Sequence, residues 1–217
     1  MNRKIKLQLA LDLDSLEQSI NITKEVINYI DIIEVGTPLI KKYGIDSIKS
    51  IRNIFKESII LADMKTMDGG IFEAEIAFGA GADITTVMAC SDPKTLQNVL
   101  NIAKKYNRKV VIDMLGYQLE TKDLESVLIL LDFAPNDIIL LTHLSFDKAK
   151  TVNETLIDLK LIKEINKYPL AIAGGVNLEV AKRVIEYGPS IIVVGSYITK
   201  AQDPLSVTKS IRNAIDL

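Results

Sequence analysis

Eight short, β-rich apolar runs alternate with longer amphipathic stretches along nearly the whole chain, and this alternation limits the possible folds more than any other feature. The runs are Lys6–Asp12, Asp31–Val35, Ile59–Asp63, Asp83–Val87, Lys109–Met114, Ile138–Thr142, Leu170–Ala173 and Ile191–Val194. Helical periodicity fills the gaps, over Ser15–Tyr29, Pro38–Phe55, Phe72–Phe78, Pro93–Tyr106, Lys122–Leu131, Glu154–Asn166, Leu178–Tyr187 and Pro204–Ile215. Helix-start residues stand where they are needed: Asp14 or Ser15 before the first helix, Asp92 before Pro93, and Asp203 before Pro204. Gly188 stands where a helix would close. Eight strand–helix units in 217 residues predict a single-domain (β/α)8 barrel, short for that fold. A doubly wound open sheet has the same periodicity, but no G-x-G-x-x-G follows the first strand. No inserted domain or low-complexity linker interrupts the pattern.

In such a barrel the chemistry belongs at the C-terminal ends of the strands, and charged residues gather there. Asp12 ends the first strand, Glu34 stands near the end of the second and Asp63 ends the third. Asp113 lies near the end of the fifth, and the sole histidine, His143, follows the sixth. In the stretch ILADMKTMDGG, Asp63 and Lys65 are two apart and share a face if the extended backbone persists through them. Asp68 lies three residues further on, with Gly69-Gly70 free to turn the chain behind it. Strands seven and eight end instead in Ala173-Gly174-Gly175 and Gly195-Ser196, small residues that let backbone N–H groups approach an anion. Loops seven and eight commonly bind phosphate in this fold, which points to a phosphorylated small molecule. Any one of these acids could be a turn former or a helix cap, and a glycine pair could serve only a turn. Their joint placement on one rim is what points to chemistry. Asp14, Asp92 and Asp203 are read as caps, and Cys90 as a small buried residue near the end of strand four.

Composition narrows the partners. A net charge of −2 without a basic block gives no support to nucleic-acid or membrane-surface binding. The stretch MNRKIKLQLALDLD has two carboxylates in its apolar segment, unlike a signal peptide or a membrane span. One cysteine allows no internal disulfide and suits a reducing cytoplasm.

The segments LQLALDL, IIEVGTP, LADMKTMDGG, AGADITTV, VVIDM, AIAGGVN and IIVVGS resemble the 3-hexulose-6-phosphate synthase family of the orotidine-5′-phosphate decarboxylase superfamily. The resemblance runs from about Lys6 to the last helix. D-x-K-x-x-D alone marks the superfamily, and the added IEVGTP narrows it. The resemblance implies an aldol reaction joining D-ribulose 5-phosphate and formaldehyde into D-arabino-hex-3-ulose 6-phosphate. It assigns Glu34 and Asp63 to Mg2+, and Asp12, Lys65 and Asp68 to the sugar and the intermediate. It gives proton transfer to His143, and the phosphate to Gly174, Gly175, Gly195 and Ser196. Asp113 is grouped with the substrate-binding residues. It further implies a homodimer in which Asp68 enters the partner's active site. After strand six the chain reads His143-Leu-Ser-Phe-Asp147-Lys-Ala, where the family usually has H-T-G-x-D-x-Q. Phe146 stands where the related 3-keto-L-gulonate-6-phosphate decarboxylase has an arginine, which favours the synthase over that alternative. A non-catalytic sugar-phosphate binder is the other alternative, although it would have no use for a metal pair and a proton carrier.

Overall fold

The computed structural model describes residues 5–116, 137–143 and 168–216. Its strands are β1 (Lys6–Leu11), β2 (Ile32–Val35), β3 (Ile59–Thr66), β4 (Ile84–Met88), β5 (Lys109–Asp113), β6 (Ile138–His143), β7 (Leu170–Ala173) and β8 (Ile191–Val194). They pair in chain order and close into a parallel barrel. Closure is made by β1, where Gln8 lies opposite Ile32 of β2 on one side and Val193 of β8 on the other. This pairing rules out the open sheet, a choice that periodicity could not make.

The described helices are α1 (Leu16–Val26), α2 (Thr37–Tyr43), α3 (Asp46–Ile54), α4 (Gly70–Gly79), α5 (Pro93–Tyr106), α6 (Leu178–Val184), α7 (Ser196–Thr199) and α8 (Pro204–Ile215). The expected helices Lys122–Leu131 and Glu154–Asn166, and the segment after His143, lie outside the described residues. None of the described helices is long and apolar enough to cross a membrane.

Three local expectations need correction. The helix expected over Pro38–Phe55 is two helices, because Gly44 takes φ 64° and its N–H closes α2 on the Ile40 carbonyl. The first cap is Ser15, whose hydroxyl accepts from the Gln18 N–H. Asp14 instead offers its backbone carbonyl to Lys42 and Tyr43. Asp92 and Asp203 do cap their helices, accepting from the N–H groups of Lys94 and Ser206. Cys90 is exposed rather than buried, because β4 ends at Met88 and the chain has already turned outward.

Side-chain alternation along the strands sorts the core into two shells. Leu7, Leu9 and Leu11 of β1 and Ile33 and Val35 of β2 point outward and are buried beneath the helices. The other parity fills the barrel with Ala10, Ile32, Leu61, Ile84, Val111, Ile139, Ala171 and Val193. Both faces of each strand are therefore covered, as a parallel sheet requires.

The lower rim, at the N-terminal ends of the strands, is held by two ionic clusters. Asp83 pairs with Arg52 and Arg108 and also accepts from the Ile60 N–H at 2.9 Å. Arg212 of α8 is only 3% exposed and reaches Asp31 at 2.8 Å, Asp216 at 2.6 Å and the Ile5 carbonyl at 2.8 Å. Asp31 also accepts from the Leu7 N–H at 2.8 Å. Arg212→Met should therefore destabilise the fold by about 3 kcal/mol, because it leaves a mostly buried carboxylate short of its cation. Chemical denaturation of the two proteins measures that loss. A change below about 0.5 kcal/mol would show that the cluster is as weak as a surface pair.

Candidate active site

At the opposite end of the barrel, the alternation that fills the interior with apolar residues brings polar ones to the strand tips. They line a cavity of about 620 Å³. Asp12, Glu34, Asp63, Lys65, His143, Gly174, Gly175, Gly195 and Ser196 all border it, as the sequence reading expected.

Asp63 lies at the centre of the polar network. Its Oδ2 accepts from Lys65 Nζ at 2.6 Å and from Thr37 Oγ1 at 2.8 Å, while Oδ1 accepts from Thr86 Oγ1 at 2.9 Å. Lys65 arrives by a different route from the one expected. The extended backbone does not persist through it: Lys65 has φ 48°, and the β3–β4 register shifts between Ala62 and Thr66. The Lys65 N–H donates to Thr86 Oγ1 at 2.8 Å, so Thr86 secures both this irregularity and Asp63. A non-glycine residue in the left-handed region is strained, and such positions cluster at functional sites.

Lys65 Nζ also approaches Asp113 Oδ2, at 3.4 Å, and His143 Nδ1 lies 2.9 Å from the same oxygen. Asp113 Oδ1 accepts from the Leu115 N–H at 2.9 Å. Asp113, expected among the substrate contacts, is fully buried and is not among the residues that border the cavity, beneath which it meets His143 and Lys65. Burial pushes its carboxyl upward, but hydrogen bonding and attraction from His143, together with Lys65, outweigh burial and hold it below the usual range. An ionised Asp113 can only accept, so His143 donates through Nδ1 and keeps Nε2 for another partner. Lys65 is likewise pulled down by burial but raised overall by Asp63 and Asp113, and stays charged.

Three carboxyl groups face one another at this rim. Burial pushes Glu34 well above the usual glutamate range, and repulsion from Asp63 and Asp12 adds to it. Gln8 Nε2 offsets part of this by donating to Glu34 Oε2 at 2.6 Å. Asp12 is raised as well, by burial and then by Asp63. Asp12 comes so close to the β2–α2 turn that a Cβ on Gly36 would lie 2.3 Å from its Oδ1 and 2.6 Å from the Leu11 carbonyl. No larger residue fits there.

Asp68 stands apart. It is exposed, its Oδ1 accepts from the Gly69 N–H at 2.7 Å, and it borders a different surface recess. Beside it Met67, Ile71, Phe72 and Ile76 are exposed, Phe72 to 72%.

Sequence reading missed Gln8, Thr37 and Thr86, and also Lys41 and Lys200 on the cavity wall. For Gln8 a signal was present: an amide in the apolar run LQLAL, on the same face as Asp12. Lys41 and Lys200 carried none that set them apart from other surface lysines.

Comparison with known proteins agrees with this geometry. Residues 5–211 match the model of the orotidine 5′-phosphate decarboxylase / HUMPS family. The chain belongs to that family. Within the family, it is 35% identical to a protein of Bacillus subtilis (strain 168) named 3-hexulose-6-phosphate synthase, over 97% of this chain and 99% of the relative. A solved structure named 3-hexulose-6-phosphate synthase superposes with TM-score 0.88 at 35% identity, covering 97% of this chain and 99% of that one. A 3-keto-L-gulonate-6-phosphate decarboxylase from Vibrio cholerae superposes with TM-score 0.82 at 25% identity, covering 98% and 97%. The expectations of a family enzyme and of a closed barrel are borne out.

Proposed function

We propose that this enzyme adds formaldehyde to D-ribulose 5-phosphate, giving D-arabino-hex-3-ulose 6-phosphate, with Mg2+ as cofactor. The observation that carries the reading is the meeting of Lys65 and His143 on one buried, ionised carboxylate, Asp113. A fixed cation and a proton carrier so arranged suit enolisation beside a ketone. The name 3-hexulose-6-phosphate synthase, carried by relatives matched over nearly their full length, supports this reading.

In the proposed reaction His143, through Nε2, takes a proton from the hydroxymethyl carbon next to the ketone. The C–H electron pair forms the enediolate, and negative charge develops on the ketone oxygen near Lys65. That carbon then bonds to the formaldehyde carbon as the ketone re-forms, the aldehyde π pair moves to its oxygen, and that oxygen takes the proton back from His143. Asp12 contacts the sugar, and the backbone around Gly174, Gly175, Gly195 and Ser196 receives the phosphate. Lys41 and Lys200, on the same cavity wall, add positive charge for that group.

The residues present suit Mg2+. Glu34 Oε1 accepts no hydrogen bond among the described residues, and Asp63 Oδ1 accepts only the one from Thr86. Glu34 and Asp63 are hard oxygen donors that repel each other when both are charged, a repulsion that a bound cation would relieve. No group of three or more His, Cys, Asp or Glu side chains among the described residues forms a metal cage. One or two carboxylates with the remaining positions open is the usual protein share of a Mg2+ site. Bound between Glu34 and Asp63, the ion would supply Lewis-acid polarisation of the substrate oxygens.

The functional unit in this reading is a two-fold dimer. Support comes from the exposed apolar patch of Met67, Ile71, Phe72 and Ile76 beside an Asp68 that is turned away from its own cavity.

Incubation with ribulose 5-phosphate, formaldehyde and Mg2+ tests the reaction, with formaldehyde loss as the readout. Consumption of formaldehyde one-for-one with the ketose is the expected result. Loss of CO2 from 3-keto-L-gulonate 6-phosphate with no formaldehyde consumed would make the chain the decarboxylase. Binding without turnover of either would make it a sugar-phosphate binder.

A further inference from the structure

A second recess, of about 380 Å³, opens at the lower mouth of the barrel, the end away from the catalytic cavity. Barrels of this class normally fill their interior with side chains, so a hollow there is a feature to explain. Its floor and walls are apolar: Ile32, Ile59, Ile84, Ile139 and Ile191, one from each of five strands. Its rim carries Lys6 and Lys109, the first residues of β1 and β5. Both have inward parity, Lys6 with Gln8 and Ala10, and Lys109 with Val111 and Asp113. Strands one and five of eight face each other across a closed barrel, so the two ammonium groups enter from opposite sides. Neither ammonium group has a hydrogen bond or an ion pair among the described residues, and both lysines are exposed. The third cation on the rim, Arg108, is already engaged by Asp83, which Arg52 shares.

An isoleucine-lined hollow under two uncommitted cations is complementary to a molecule with an apolar body and an anionic end. We propose that the lower mouth is a binding site for a small amphiphilic anion: an acyl or aryl group seated on the isoleucines, its carboxylate or phosphate held between Lys6 and Lys109. The size and composition of the recess match small-molecule sites, which are mostly apolar with a few polar groups that fix orientation. Lys6 and Gln8 share a face of β1, and Gln8 holds Glu34. The site thus lies directly below the catalytic rim yet shares no lining residue with its cavity.

The test is calorimetric titration of the full chain with octanoate, with octan-1-ol and inorganic phosphate as the neutral and non-apolar arms. Octyl phosphate, as a fourth arm, distinguishes a phosphate from a carboxylate head. One octanoate per chain is expected, bound at least about tenfold more tightly than octan-1-ol or inorganic phosphate. Lys6→Gln with Lys109→Gln should erase that advantage, leaving octanoate no better than the alcohol. Both lysines are exposed, so the replacements leave the core intact. Ile59→Ser, at the partly exposed edge of the recess, should weaken octanoate and octan-1-ol alike. The proposal is overturned if octanoate does not bind, if the double variant binds it unchanged, or if ribulose 5-phosphate competes with it and so places it in the upper cavity.

Discussion

Asp63→Ala should lower kcat/KM about a hundredfold or more, the usual scale for losing one preorganised electrostatic group. The loss is compound. Asp63 is the closest partner of Lys65, at 2.6 Å, and the shared partner of Thr37 and Thr86. It is also half of the proposed Mg2+ site. Glu34→Gln should cost as much activity but have the opposite effect on stability. The folded protein holds the Glu34 proton more tightly than the unfolded chain, because burial and Asp63 raise its pKa. Stability therefore falls as pH rises from the ordinary glutamate range through the folded value, and the full penalty applies above it. A glutamine has no proton to lose, so the variant should melt above the parent at neutral pH without Mg2+. Adding Mg2+ should stabilise the parent and not the variant, since only a charged pair gains from the ion. A parent whose activity is unchanged by EDTA, and whose melting is unmoved by Mg2+, would remove the ion from the reaction.

Lys65→Ala and Asp68→Ala should each be nearly inactive alone, yet their mixed dimer should regain about a quarter to a half of the parent's activity. If Asp68 serves the neighbour's cavity, both defects in a heterodimer fall in one site and leave the other intact. Statistical mixing of subunits sets the recovery below one half. If Asp68 serves its own chain, every site in the mixture carries one defect. Co-refolded mixtures that stay as inactive as their parents, with subunit exchange shown by a mass tag, would defeat the shared arrangement. The geometry that favours sharing is local: Asp68 follows a β3 that has already turned at Lys65.

Much of this site could be read from the chain because strand parity is a rigid rule. Once Ile59 and Leu61 face inward, Asp63 must follow them, and Gln8, Ala10 and Asp12 obey the same count on β1. Eight repeats pointed to a barrel, but only the β1–β8 pairing decides that the sheet closes. Roles that depend on depth were not legible. Asp113 and Asp63 look alike in sequence, but only the structure places Asp113 beneath the cavity, holding His143 and Lys65. Lys65 reached its expected neighbour by an unexpected backbone conformation, since a left-handed lysine has no sequence signature. The split at Gly44 could have been read, as a glycine inside a helical period is a standing invitation to stop.

The buried Arg212 has a consequence for how the protein is made. It joins α8 to Asp31, 181 residues earlier, and to the carbonyl before β1, while β8 supplies the second neighbour of β1. During synthesis β1 emerges well before β8 and must keep one edge unpaired until β8 and α8 have followed it. The seam between β1 and β8 is thus the costliest loop of the barrel to close and the last of its strand pairs to gain protection, as pulsed amide exchange along β1 would record. Until it forms, the nascent barrel is a sticky, open sheet, and its safe arrival depends on how quickly α8 follows.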